Sequence, residues 1–246
     1  MMSRPDRHSA QVRARLLGRR LHRDKRAIAF VETAVTLPVL LFTSICGLEI
    51  TNLMITHTRV SGIALAAADN ASRIAAGSNL ALPQVREVDI NDVFTGAQLQ
   101  SGTLDLNTNG RIILSSLEVN ASNGQWIHWQ RCYGSMNVSS AYGPQGTGAL
   151  GTTFPGMGAP GKEVKAATAA PVMFVEVSYG YKPVLAKAFM GNNITIEYES
   201  AFTVRDARDT SQIYNPNPAA TVRLCPGGTA RKKGSKGHGD DWGWDD

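Results

Sequence analysis

Hydrophobic and polar positions follow different rhythms along this chain. From Ala27 to Ile55 (AIAFVETAVTLPVLLFTSICGLEITNLMI) the run is apolar almost throughout, and only Glu32 and Glu49 bring charge into it. A helix needs about 20 mostly apolar residues to cross the hydrocarbon core of a bilayer, so residues 28–55 read as a transmembrane helix. Val60, Ile63, Ala64, Ala67, Ala71 and Ile74 then recur as one stripe of helical period. Such a stripe predicts that the helix continues over residues 56–79 and docks on a soluble domain. Gly77-Ser78-Asn79 supplies a stop, because glycine tolerates the left-handed conformation of a helix C-cap.

Beyond residue 80 the rhythm shortens. Pro83 marks the entrance to a body covering residues 80–225, and 89–100 reads as a short helix with Asn91 or Asp92 near its start. Four stretches read as strands: residues 111–119, 125–131, 171–181 and 194–205. In the third, Met173, Val175, Val177, Tyr179 and Tyr181 share a face; in the fourth, Ile194, Ile196, Tyr198, Phe202 and Val204 do, with Glu197 and Glu199 opposite. That alternation is the period of a half-buried antiparallel strand. Residues 120–124 (NASNG) form a turn signal between the first two strands, and residues 183–190 read as one or two helical turns. The predicted fold class is α+β: a long N-terminal transmembrane and amphipathic helix packed on an antiparallel sheet domain.

Two segments fall outside these rhythms. Residues 143–161 hold seven Gly and three Pro, too irregular for a phosphate-binding loop. They read as a long flexible loop with Phe154 and Met157 as contact points. Residues 226–246 are of low complexity, with Arg231, Lys232, Lys233 and Lys236 followed by Asp240, Asp241, Asp245 and Asp246, and with Trp242 and Trp244 among the acids. They read as a disordered tail, the alternative being a docking peptide.

Charge adds a direction. Of 246 residues 43% are hydrophobic, which excludes a wholly disordered chain, and the formal net charge is +5. Residues 1–27 hold nine Arg and Lys against Asp6 and Asp24, so this leader alone is +7 and the remainder close to neutral. A basic leader abutting an apolar run stays on the cytoplasmic side and directs the rest of the chain across the membrane. Ordinary cleavable signals fit poorly. Ile45 rather than a small residue precedes Cys46, more charges come after Arg19-Arg20, and the Ala-rich stretch at 64–68 lies too far beyond the apolar core. Glu32 inside the apolar segment, six residues before Pro38, is a functional candidate or a side chain that snorkels to the headgroups.

The basic leader, the Val31-Glu32 pair and the apolar run with Pro38 resemble a class III (prepilin-type) signal. More narrowly, residues 30–38 (FVETAVTLP) resemble the start of TadE-like proteins, the minor pilin-like components of Tad/Flp pilus systems. ALAAADNASRIA, WIHWQRCYG, VEVSYGYKPVL and ITIEYESAFTVRDAR are similar to later parts of such chains. The resemblance implies a cut by a prepilin-type peptidase between Ala27 and Ile28, with Glu32 as the fifth mature residue. Ala27 and Thr33 stand where the family usually has a glycine and an aromatic. It further implies a single-pass protein of the bacterial inner membrane, N-terminus cytoplasmic and C-terminal domain periplasmic or extracellular. Membrane lipid, other pilin-like subunits and the Tad assembly machinery would be its partners.

Cys46 falls in the apolar helix, whereas Cys132 and Cys225 fall in the exported body, where a pair of thiols tends to form a bridge. A Cys132–Cys225 disulfide is expected; free thiols or a bridge to a neighbouring molecule are the alternatives. No catalytic motif, metal-ligand spacing or cofactor-binding pattern emerges. His128 reads as a packed or surface residue, and His238 beside Asp240 and Asp241 makes a weak site. The leader faces a membrane and so does not read as a nucleic-acid surface. The expected function is non-enzymatic participation in Tad/Flp-type pilus assembly or secretion. The alternative is a membrane-anchored binding or adhesion domain.

Overall fold

The computed structural model describes residues 25–74, 82–183 and 194–226. The expected helix stop at residues 77–79, the turns at residues 184–190, most of the leader and the tail from residue 227 lie outside the described residues. In chain order the elements are α1 (Lys25–Arg73), β1 (Gln84–Arg86), α2 (Glu87–Ser101), α3 (Leu106–Asn109), β2 (Gly110–Val119), β3 (Gln125–Tyr133), β4 (Val172–Tyr181), β5 (Ile194–Thr203) and β6 (Asp209–Tyr214). The fold is α+β. β2 to β5 make one antiparallel sheet of order β3-β2-β4-β5, while β1 and β6 pair in parallel as a separate two-stranded piece.

α1 is a single helix of 49 residues. Its expected stripe is the buried one: Val60, Ile63, Ala64, Ala67 and Ala71 are each at most 3% exposed. The alanines let the helix backbone approach both the sheet and α2. The helix ends at Arg73, before the glycine expected as its stop. The Arg208 guanidinium supplies the cap, donating to the carbonyls of Ser72 and Ile74. A cation there also suits the negative end of the helix dipole.

α2 begins at Glu87 rather than Asp89, so Asn91 and Asp92 lie inside it. The Asp89 carboxylate, three residues beyond the cap, accepts the Arg86 backbone amide (3.2 Å) and the Arg86 Nη2 (2.7 Å); the first of these is the carboxylate half of a capping box, and the second is an ion pair. Asn91 instead faces the chain after β6: its Nδ2 donates to the Thr221 carbonyl and its Oδ1 accepts from Arg223 Nε.

α1 and α2 cover one face of the sheet. Ile112, Leu114, Met173, Val175, Val177, Tyr179, Tyr181 and Ile196 meet Ile90, Phe94 and the α1 stripe in the main core. The expected half-buried alternation shows in β5 only at Ile196 and Glu197, buried and exposed among partly buried neighbours, and it fails in β4, which is buried on both faces. The second face is covered by the glycine-rich segment. Met157 is fully buried and joins Leu117, Ile127, Ala166, Val172 and Phe174 in a second cluster, with Phe154 packed against it.

The reading of residues 143–161 as a flexible loop is therefore corrected. All seven of its glycines take a positive φ, a region that other L-residues rarely enter. At Gly148 (φ +80°) a Cβ would stand 2.4 Å from the Gln125 carbonyl oxygen, and at Gly156 (φ +115°) 2.4 Å from that of Val164. Asn120, in the β2–β3 turn, ties this path down. Its Oδ1 accepts from the amides of Ser122 and Gly124, and its Nδ2 donates to the carbonyls of Gly148 (2.7 Å) and Gly151 (2.8 Å). One buried side chain thus organises both the hairpin turn and the cover of the second face.

Candidate functional site

The feature that the fold displays most openly is the first half of α1. Every residue from Ile28 to Leu48 is exposed except Cys46, which is partly exposed and a free thiol. The large apolar side chains are bare: Phe30 is 76% exposed and Leu40 65%. A window of this helix has a mean hydropathy of 1.9 and no buried residue, so it is long and apolar enough to cross a membrane and is not a core helix of the domain. At 1.5 Å per residue the exposed run is about 30 Å long, the thickness of a bilayer's hydrocarbon core.

Its hydroxyl groups are accommodated within the helix. Thr33, Thr36, Thr43, Ser44 and Thr51 each donate their hydroxyl to the carbonyl four residues back. Pro38 removes one amide from the ladder without ending the helix, as lipid-facing helices tolerate. Ala27 and Ile28 lie in the first turn of α1, and Glu32 stands exposed one turn beyond Ile28. The expected processing position and the carboxylate thus lie about 6 Å apart along one helix.

Docking on the domain begins abruptly. Leu48 is 65% exposed, whereas Glu49, the next residue, is 2% exposed. Contact with the domain therefore starts at residue 49, while the outer face, with Ile50, Met54 and Ile55, stays exposed as far as residue 55. The reason is a pair of polar latches. Tyr181 at the end of β4 donates its hydroxyl to Glu49 Oε1 (2.6 Å) and accepts from Asn52 Nδ2 (2.9 Å). Two turns along, His57 Nδ1 lies 3.1 Å from the Tyr198 hydroxyl of β5. Burial, and then the bond to Glu49, push the Tyr181 phenol above its ordinary pKa. From the sequence, Glu49 is only an interruption and Tyr181 only a core-facing strand residue. A carboxylate closing an apolar run and a tyrosine closing a strand are the signals that point to the pair.

At the other edge of the sheet Cys132 and Cys225 form the expected disulfide across a sequence separation of 93. It fastens the chain beyond β6 to β3. Around it, the Cys132 amide donates to the Arg223 carbonyl (2.9 Å), and the Arg223 guanidinium lies 5.2 Å from the Tyr133 ring centre. Next to it is a buried ion pair that sequence reading does not find. Arg131 Nε donates to both Glu87 carboxylate oxygens at 3.0 Å, and Nη2 reaches Oε1 as well. This pair clamps the start of α2 to β3.

The second face carries a polar group of its own. The buried Glu176 carboxylate accepts from Ser140 Oγ (2.6 Å) and the Ala141 amide (2.8 Å). Beside it in the ladder, Glu199 accepts from the Tyr142 hydroxyl (2.7 Å). Burial, reinforced by Glu199, raises the Tyr142 phenol far above its ordinary pKa. His128 lies in β3 with Nδ1 3.0 Å from Glu118 Oε2 and its ring stacked on Trp126. Among the described residues, no three His, Cys, Asp or Glu side chains are grouped so as to hold a metal ion; His238 lies outside them. Comparison with protein-family models, with curated proteins and with solved structures finds nothing that matches this chain.

Proposed function

We propose that this chain is a pilin-like, non-enzymatic subunit, anchored in a membrane by residues 28–48, that takes part in assembling a Tad/Flp-type pilus or secretion apparatus. One observation carries the reading: a bare apolar helical segment of bilayer length runs without a break into a helix docked on a four-stranded antiparallel sheet. The resemblance of residues 30–38 and of the β4 and β5 sequences to TadE-like chains supports it.

On this reading the basic leader stays in the cytoplasm, and a prepilin-type peptidase cuts between Ala27 and Ile28. The new amine then lies one helical turn from Glu32. In hydrocarbon, where Coulomb forces are weakly screened, the Glu32 carboxylate of one subunit meets the N-terminal amine of a neighbour. Such a buried pair sets register more than it adds stability. The sheet domain, closed by its disulfide, is the exported part that neighbours and machinery recognise.

The test is Glu32→Ala in cells that carry the whole assembly system. The variant should insert in the membrane and form its disulfide as the wild type does, while pili or secretion are lost. Normal assembly with Glu32→Ala would show that the carboxylate only snorkels to water.

A further inference from the structure

The latch between α1 and β4 ties one end of the sheet to the residue at which the bare half of α1 ends. We infer that the β4–β5 end of the sheet rests on the lipid headgroups, with Tyr181 and Lys182 at the level of the phosphates. This rests on the membrane-anchor reading of residues 28–48 and adds a second contact with the same bilayer.

The placement comes from three observations. Exposure on every side of the apolar helix stops at Leu48, and beyond it only the outer face, with Ile50, Met54 and Ile55, stays bare; the buried Glu49 carboxylate places the edge of the hydrocarbon on the docked side at residue 49. The Tyr181 hydroxyl is 2.6 Å from the Glu49 carboxylate, and the headgroup layer on each side of a bilayer is about 5–7 Å thick. Tyr181 therefore sits within that layer, where tyrosines favour the boundary between apolar and wet surroundings.

The direction of the sheet is fixed as well. Tyr181 pairs with Ile194 at the last rung of the β4–β5 ladder. From there the sheet recedes along α1. Tyr198 meets His57, and Ala201, Phe202 and Thr203 share a cavity of about 570 Å³ with Asp69, Ser72 and Arg73. So the Tyr181 end faces the membrane and the Asn120–Gly124 turn points away, about 30 Å further along the strands. Lys182, directly after β4, is exposed. Its ammonium on a long flexible stem suits a lipid phosphate.

The experiment uses the full chain with Cys46→Ala, reconstituted in vesicles of phosphatidylethanolamine and phosphatidylglycerol. Nitroxide labels are attached singly at Phe42→Cys, Lys182→Cys and Asn123→Cys, and their collision rates with oxygen and with a water-soluble nickel chelate are compared. The expected result is a hydrocarbon signature at 42 and a fully aqueous one at 123. At 182, access to the nickel chelate should be several-fold lower than at 123. If 42 lies in hydrocarbon while 182 is as open to the chelate as 123, the headgroup contact is refuted and the anchor stands. If 42 is open to the chelate, both fail.

Discussion

Removing the carboxylate of Glu87 should unfasten α2 from the sheet. Glu87 is 3% exposed and Arg131 7%, and the guanidinium spends Nε and Nη2 on the carboxylate while Nη1 donates to the Gln130 carbonyl at 2.9 Å. Glu87→Ala leaves a buried cation with two of its nitrogens facing nothing that accepts. Breaking a buried pair from one side costs about 3–5 kcal/mol, because the remaining charge keeps its desolvation penalty and loses its compensation. Replacing both partners, as Glu87→Leu with Arg131→Met, removes the penalty with the attraction, and should leave stability within about 1 kcal/mol of the wild type. The cycle of Glu87→Leu, Arg131→Met and the double variant then yields a coupling of at least about 3 kcal/mol, the upper end for contacting residues or beyond it, because each single variant strands one buried charge. Denaturant unfolding of the full chain in detergent micelles, followed by tryptophan fluorescence, measures all four corners. A loss below about 1 kcal/mol for Glu87→Ala would refute the reasoning. The contacts of Ile90 and Phe94, including the stacking of Phe94 on Tyr133 with ring centres 5.7 Å apart, would then suffice to hold α2.

Three further outcomes are expected. Replacing Cys132 and Cys225 by serine opens a loop of sequence separation 93. By chain entropy this should lower stability by about 4–5 kcal/mol, and a denaturation midpoint that does not move would contradict it. Asn120→Asp exchanges the donor that serves Gly148 and Gly151 for a carboxylate oxygen facing two carbonyls. Two lost bonds and a buried acceptor without a donor amount to about 3 kcal/mol, and protease cleavage within residues 143–161 should become faster; unchanged proteolysis would argue that the glycines alone hold the path. Finally, the folded protein keeps the Tyr142 proton that the unfolded chain releases above about pH 10, so this contribution to stability is complete below that pH and declines as pH rises past it. Tyr142→Phe should flatten the alkaline fall without abolishing it, since the phenols of Tyr179 and Tyr181 are raised too; an unchanged alkaline slope would count against it.

Periodicity carries the four main strands and the α1 stripe because each is long enough for its apolar positions to repeat. β2, β3, β4 and β5 begin and end within two residues of the expected bounds, which is the normal uncertainty of an element's end. β1 has three residues and β6 pairs with it across the whole body, so neither has a local signature. The second buried face of β4 is hidden for a different reason. Glu176 and Ser178 alternate with the apolar positions of the strand, yet both are buried, Glu176 because Ser140 and the Ala141 amide satisfy its carboxylate. Glycine content suggests flexibility at residues 143–161 where it encodes a backbone path, since composition does not reveal the sign of φ. The disulfide is legible from topology alone, by setting aside the cysteine in the apolar helix. The Glu87–Arg131 clamp and the Glu49–Tyr181 latch are not, because the sequence separations of their partners, 44 and 132, leave no local trace. The latch marks where the bare half of α1 ends and the docked half begins.

Intact mass of the protein extracted from membranes that hold an active prepilin-type peptidase tests the central claim most directly. The account predicts a chain that has lost residues 1–27 and begins at Ile28, with Ala27→Leu restoring the uncut mass. Recovery of only the full-length chain from Met1, alongside a peptidase that processes its other substrates, would contradict it.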